Sequence, residues 1–384
     1  GNTGGSAQTD QKVMNLTINP VNDAPVLTTP ASVTVTEDTP IALAGITLTD
    51  LDAGSGQLLV TLTTTNGQLT LSSLTGLTFT TGDGTSDSSM TFTGSVSDIQ
   101  AALAGLTYQG NLDFNGADTI NLSVDDQGNT GGSPLSTSKT INVTVTPVND
   151  APAIVIPTSG VTVDEDAIAT ISGISITDID ALSGTLRVSL SVAQGIINLS
   201  SITGLTFTAG SNGSKSMTFT GTLANINAAL NDLTYRGDAN FNGLDTLNLN
   251  VSDLGNTGTG GAKTDSDTLN LTISAVDDAP VITVPGAKTV AEDTDLIISG
   301  ITVNDVDAGS GTLSVTLSAT NGVLTLSTLT GLTFSVGDGT ADGSMTFTGT
   351  LANIQAALAN LRYRGNQDFS GADTVTLAID DQGN

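Results

Sequence analysis

The chain has 384 residues, 38 of them acidic against nine basic, for a net charge of −29, so it repels nucleic acid phosphates and anionic membrane surfaces and attracts cations. Cysteine, histidine and tryptophan are absent, which removes disulfides, thiolate and imidazole catalysis, and zinc sites built on Cys or His. Charged residues make up only 12%, too few for an acidic disordered tail, and no apolar run is long enough to span a bilayer.

In chain order, residues 12–20 alternate polar and apolar side chains, the pattern of a half-buried strand, and they match residues 139–147. The joint Val21-Asn22-Asp23-Ala24-Pro25 follows, and it returns at Val148–Pro152 and Val276–Pro280 in steps of 127 and 128 residues. A unit of that length can bury its own core. The reading is a tandem array: 1–21 is the last strand of a preceding unit, 22–148 and 149–276 are complete units, and 277–384 is a third lacking its last strand. No signal peptide opens the sequence, and both ends read as cut from something longer.

Within the first unit the alternation predicts strands near 31–36, 41–49, 57–65, 68–71, 76–80, 89–93 and 118–125, separated by turns rich in Gly, Asn and Asp. One segment breaks that period. Ile99, Ala102, Leu103 and Leu106 recur at helical spacing behind a capping side chain, and the pattern repeats at 225–233 and 353–361. The expected fold is all-β: tandem Ig-like antiparallel Greek-key sandwiches, each with one short helical turn, arranged as an extended rod. All twelve aromatics occupy equivalent places in the three units, where core packing accounts for them, so none is left to stack on a sugar or a base.

Three acidic groups recur beside the joints. They are the pairs Glu37-Asp38, Glu165-Asp166 and Glu292-Asp293; the D-x-D pairs Asp50 and Asp52, Asp178 and Asp180, Asp305 and Asp307; and the D-x-G turns at Asp126, Asp253 and Asp381. Strand parity brings D-x-D and D-x-G to the joint before their unit and the Glu to the joint after it. Gathered carboxylates repel one another unless a cation lies between them. An all-oxygen donor set points to Ca²⁺ rather than to a transition metal. A glycosidase carboxylate pair is the alternative chemistry, and three near-identical copies without a shared cleft argue against it.

As a spaced set, these elements resemble cadherin-like repeats, in particular those of very large bacterial surface adhesins. The resemblance implies that the joint at 149–152 is bridged by Glu37, Asn149, Asp150, Asp178, Asp180 and Asp253. It implies Glu165, Asp277, Asp278, Asp305, Asp307 and Asp381 at the next joint, and a half set of Asn22, Asp23, Asp50, Asp52 and Asp126 at the first, with Glu292 unmatched. For the family's remaining acidic ligand the candidates are Asp113 and Asp118, with Asn240 and Asp245, then Asp368 and Asp373, in the same places. Because Asn240 replaces an acid, Asp118, Asp245 and Asp373 are the preferred set. The absence of tryptophan departs from the strand exchange by which animal cadherins pair.

The implied function is non-catalytic: a Ca²⁺-stiffened stalk segment of an extracellular bacterial adhesin supporting attachment or biofilm formation. A module gripping a glycan or host protein is the alternative, and it would be expected to carry one divergent loop, which is missing. The expected partners are the adjacent repeats of the same chain, with no nucleic acid and no direct membrane insertion. The open edge of the third unit is expected to pair with a strand of a neighbouring copy.

Overall fold

The computed structural model describes residues 4–383. It is all-β, with three sandwiches of the same plan. In the first, Leu58–Thr64 has strictly alternating burial, and its neighbours Gly116–Asp125 and Ser89–Gly94 do the same over their central residues. These three strands lie side by side and turn one apolar face inward. The six-stranded sheet runs in the order Ser32–Thr36, Ser136–Thr146, Gly116–Asp125, Leu58–Thr64, Ser89–Gly94, Thr78–Thr81. Opposite it stand the three-stranded sheet Ile41–Ala42, Thr107–Gly110, Gly67–Thr70 and the pair Val26–Thr28 and Thr47–Thr49. Val60, Leu62, Phe92, Ile120 and Tyr108 are fully buried between the layers.

Two local features differ from the sequence expectation. The run 41–49 divides at Gly45, whose φ of +84° takes the chain from one sheet to the other. The sandwich is also not wholly antiparallel, because Ser32–Thr36 pairs in parallel with Ser136–Thr146. The chain enters at one end of the sandwich and leaves at the other, so its first long strand and its last must run the same way.

The helix is real but sits slightly earlier than its apolar spacing suggests, at Val96–Leu103, with equivalents at Leu223–Leu230 and Leu351–Leu358. Ser95 caps it by accepting from the Asp98 N–H, and Ile99, Ala102 and Leu103 face the core. The Gln100 side chain pins the helix to the sheet, accepting from Leu48 N at 2.6 Å and donating to Ile46 O at 3.2 Å. Asn227 does the same with both backbone groups of Ile176, each at 2.8 Å. The helix is therefore a core-facing crossover. Among the described residues, no helix is long and apolar enough to cross a membrane.

The second sandwich repeats this plan around Leu186, Val188, Phe219 and Tyr235. The third differs at one edge of its larger sheet. Its larger sheet has four strands, Thr333–Val336, Ser344–Thr350, Thr312–Ala319 and Val375–Asp380, and residues 287–291, the counterpart of Ser32–Thr36, form no strand. Residues 12–20 are not paired either, despite their alternation. Met14, Leu16 and Ile18 are exposed at 77%, 77% and 92%.

Candidate metal centre

At the second joint the linker lies on the loop of the sandwich it enters. Asn149 N–H donates to Thr259 O at 2.8 Å, and Thr259 N–H donates to Pro147 O at 3.1 Å. Gly258 makes this approach possible: its φ is +84°, and a Cβ there would come within 2.6 Å of Asn149 N and of Val148 C.

The D-x-G acid organises the same place. Asp253 is 1% exposed; its Oδ1 accepts from Gly255 N–H and Lys263 N–H, each at 2.8 Å, and its Oδ2 accepts from the Asn149 amide at 2.6 Å. That amide also donates to Gly261 O at 2.9 Å. Both amide hydrogens of the buried Asn149 are thus used by protein, and its Oδ1 is left with no partner. The D-x-D pair lies beside it. Asp178 Oδ1 accepts from Asp180 N–H at 2.9 Å, and Asp180 Oδ2 accepts from Asp150 N–H at 2.6 Å.

From the preceding sandwich comes Glu37, 2% exposed, with Oε1 accepting from Val148 N–H and Oε2 accepting from the Asn115 amide at 3.3 Å. One carboxylate oxygen each from Glu37, Asp150 and Asp180 lie within 4.8 Å of one another, and a second group of the same tightness joins Asp38, Asp113 and Asp150. Three carboxylates from two domains and the linker therefore face a common point.

The electrostatics record the crowding. Burial, then the charges of Asp180 and Asp113, push the Asp150 carboxyl above its ordinary value. Burial, with the charges of Asp253 and Asp180, pushes Asp178 up as well. Asp50 at the first joint is raised by burial and by its hydrogen bond to Asp52. Among the described residues, the buried side-chain oxygens without a hydrogen-bond partner are Asp50 Oδ2, Asn149 Oδ1, Asp150 Oδ2, Glu165 Oε2, Asp178 Oδ2 and Asp305 Oδ2. Every one belongs to the acidic set of a joint. Leaving such atoms unpaired is costly, and a hard divalent cation taking six to eight oxygens suits them.

The other joints are variations. At the first, the Asn22 amide donates to Asp126 Oδ2 at 2.7 Å, and Asp23 N–H donates to Asp52 Oδ2 at 3.0 Å. At the third, Val276 N–H donates to Glu165 Oε1 at 2.8 Å, and Asp278 N–H donates to Asp307 Oδ2 at 2.6 Å. Asp277 stands where the other joints have asparagine. Burial first, then the charges of Asp381, Asp307 and Asp305, raise its carboxyl. Asp278 is raised by burial and by the charges of Asp307, Asp166 and Glu165.

Asp118, Asp245 and Asp373 are not brought to the joints' open oxygens. Asp118 is buried inside the sandwich, with Oδ2 accepting from Thr64 Oγ1 at 2.6 Å, Tyr108 Oη at 2.9 Å and Asn66 N–H at 3.1 Å, and Oδ1 accepting from Thr119 N–H at 2.7 Å. Burial pushes its carboxyl up, but these donors outweigh burial and hold it below the usual range. Asp245 and Asp373 repeat the arrangement with Tyr235 and Tyr363, and they are lowered in the same way. The tyrosines respond in kind. Burial and the adjacent carboxylate push Tyr363 up to about 12, and Tyr108 and Tyr235 higher still.

The residue placed beside the joint is the other candidate, Asp113. Its N–H donates to Asp38 Oδ1 at 3.1 Å, and both residues have positive φ. Asp38 belongs to the recurring acid pair but not to the ligand set that the resemblance implies, and it recurs as Asp166 and Asp293. The Asn240 and Asp368 N–H groups donate to those two in the same way.

Some solved structures are similar to this chain. Repeats EC22–24 of mouse Cadherin-23 share 15% identity and a TM-score of 0.34, with 92% of each chain covered. The human Desmocollin-1 ectodomain shares 15% identity and a TM-score of 0.27, with 93% of this chain and 60% of that one covered. The FN1–FN3 domains of chicken CNTN1 share 10% identity and a TM-score of 0.25, with 94% and 95% covered. No curated protein matches. The family model described as the Protein GAMETE EXPRESSED 2 domain matches three times, over residues 44–132, 169–259 and 298–383. Those matches span well over half of the chain and fall once in each sandwich, so the chain belongs to the family of the Protein GAMETE EXPRESSED 2 domain.

Proposed function

We propose that the chain is a structural spacer of a large extracellular adhesive protein, of the kind found at bacterial surfaces, and that Ca²⁺ stiffens its joints. The observation that carries the reading is the set of unpartnered buried oxygens, all of which belong to the joints. At the second joint Glu37, Asn149, Asp150, Asp178 and Asp180 would hold the ion. At the third, Glu165, Asp278, Asp305 and Asp307 would hold it. When bound, the ion supplies the positive charge that offsets the mutual repulsion of these carboxylates.

The chain's own residues do the positioning. Asp253 Oδ2 and Gly261 O each accept one Asn149 amide hydrogen, so that the amide oxygen is offered rather than the nitrogen. Glu37 ties the linker to the sandwich behind it while the D-x-D loop ties it to the sandwich ahead. An ion held by both domains binds only when they are aligned, and at a hundredfold excess over Kd it stabilises that alignment by about 2.7 kcal/mol. For extracellular sites of this kind Kd is about 10⁻⁴ to 10⁻³ M. The three units repeat their surface loops, which suits a spacer.

Calorimetric titration of the chain with Ca²⁺ tests the reading. Saturable binding that weakens at least tenfold in Asp150→Asn supports it, and the absence of binding up to 10⁻² M, roughly ten times the weakest expected Kd, rejects it.

A further inference from the structure

We propose that one end of the second sandwich, where Leu182, Arg187 and Leu254 are exposed, docks a segment of another protein that presents a carboxylate between apolar side chains. The three units agree in loop length there but not in content. Leu182 stands where the first and third units have Gly54 and Gly309, and Leu254 where they have Gln127 and Gln382. Arg187 replaces Leu59 and Ser314, and its cross-strand neighbour Ser252 replaces Asp125 and Asp380.

Folding explains neither leucine. Leu182 has a φ of +40° and is 80% exposed, so it holds a left-handed backbone that suits its glycine counterparts and gains no burial to offset the strain. Leu254, 40% exposed, gives up the hydrogen bond that Gln127 Nε2 donates to Gln57 O at 2.9 Å and Gln382 Nε2 donates to Thr312 O at 2.7 Å. Their two loops are tied together: the Asn256 amide donates to Thr185 O at 2.6 Å, and Thr257 Oγ1 donates to Asp180 O at 2.8 Å. Strain and apolar exposure retained at one place mark a surface kept for contact.

Arg187 sets the partner's charge. The unit that has the arginine lacks the acid across the strand pair that would neutralise it. Ser252 Oγ accepts from Leu254 N–H at 3.3 Å, which keeps the turn's hydrogen bond and drops the charge; Asp125 and Asp380 make the equivalent bonds to Gln127 and Gln382 N–H, each at 2.8 Å. Among the described residues no carboxylate pairs with Arg187, whereas Arg362 and Arg364 share Asp295 at 3.3 and 3.7 Å. A guanidinium takes a carboxylate through two parallel hydrogen bonds, and the leucines beside it take apolar side chains. Exposed charges more than about 8 Å apart are screened at physiological ionic strength, so Arg187 rather than the net charge decides this contact. A second copy bound through the same patch would set arginine beside arginine, which disfavours it.

NMR titration of the isotope-labelled chain with leucyl-aspartyl-leucine, blocked at both ends, tests this in EDTA and in millimolar Ca²⁺. Saturable shifts are expected at residues 182–187 and 252–256 and not at 54–59 or 309–314. Binding should weaken at least tenfold in Arg187→Gln, in Leu182→Gly, and when asparagine replaces the peptide's aspartate. Leu182→Gly should at the same time raise the melting temperature of the second sandwich, because glycine relieves the left-handed backbone, so lost binding is not lost folding. The proposal is overturned by absent saturation, by equal shifts in all three units, by binding that Arg187→Gln leaves unchanged, or by a Leu182→Gly variant that melts lower. Phosphatidylserine vesicles that bind the chain through Arg187, or self-association that depends on it, would give the surface to a membrane or a second copy and overturn the assignment to another protein. The contact needs no Ca²⁺, so its failure is distinguishable from failure of the metal reading.

Discussion

The Asn149 amide donates to Asp253 Oδ2 at 2.6 Å, linking residues 104 apart in sequence, and at the next joint that pairing is replaced by Asp277 and Asp381, two carboxylates. Where the first arrangement holds the linker through a hydrogen bond, the second adds a negative charge to the same place. The metal-free third joint should therefore be the looser. Asp277→Asn supplies an amide like those of Asn22 and Asn149, and limited proteolysis in EDTA should cut the 274–280 linker several-fold more slowly in that variant. Equal rates would mean that the asparagine contributes no hold on the linker.

Gly258 sets how closely the linker can lie on the second sandwich. Gly258→Ala should displace Val148 and Asn149, because neither the positive φ nor the 2.6 Å approach accommodates a Cβ. The expected readouts are weaker Ca²⁺ binding at that joint and a second sandwich destabilised by about 1–2 kcal/mol in urea unfolding. Unchanged binding would place the cation site away from this contact.

Asp118 separates a folding role from a binding one. Asp118→Ala strands the Tyr108 and Thr64 hydroxyls and the N–H groups of Asn66 and Thr119, and it should destabilise the first sandwich by about 3 kcal/mol. Calcium stoichiometry should not change. Loss of a bound ion in a variant that still folds would restore Asp118 to the ligand set.

The two classes of carboxylate titrate in opposite senses. Asp118, Asp245 and Asp373 are lowered, so their stabilisation is present above the unfolded value near 3.8 and is lost as pH falls through the folded value. Asp50, Asp150 and Asp178 are raised without a cation, so their stabilisation is present below 3.8 and is lost as pH rises through the folded value. Thermal melts in EDTA should therefore show stability rising as pH drops from 7, passing a maximum in the mildly acidic range, and falling again toward pH 2. In saturating Ca²⁺ the rise on acidification should be absent. A metal-free protein steadily less stable from pH 7 downward would contradict the crowding at the joints.

Much of this was legible in the sequence. The recurrence of the pentapeptide gave the array, and strand parity gave the meeting of D-x-D, D-x-G and Glu at the second and third joints. Asp118 was legible too, as a residue inside the sandwich. It shares its strand face with Ile120, Leu122 and Val124, so alternation alone turns its side chain inward, beneath Tyr108. The Thr107–Gly110 strand was missed because Tyr108 is its one large apolar side chain, so it shows no alternation, and its place is fixed by pairing with Gly67–Thr70. Asp38 and Asp113 meet through left-handed backbone at two separate turns, a geometry that side-chain periodicity does not encode. Residues 12–20 carry a strand pattern without a ladder, because alternation records which face is apolar and a strand forms only where an edge is available to pair it.

The central claim, that cations held at the joints align the sandwiches, is tested most directly by small-angle scattering of the chain in millimolar Ca²⁺ and again after EDTA. The account predicts an extended, persistent particle with Ca²⁺ and a shorter mean end-to-end dimension with broader disorder in its absence, the change being largely abolished in Asp150→Asn, Asp278→Asn. Superimposable profiles with and without Ca²⁺ would contradict it.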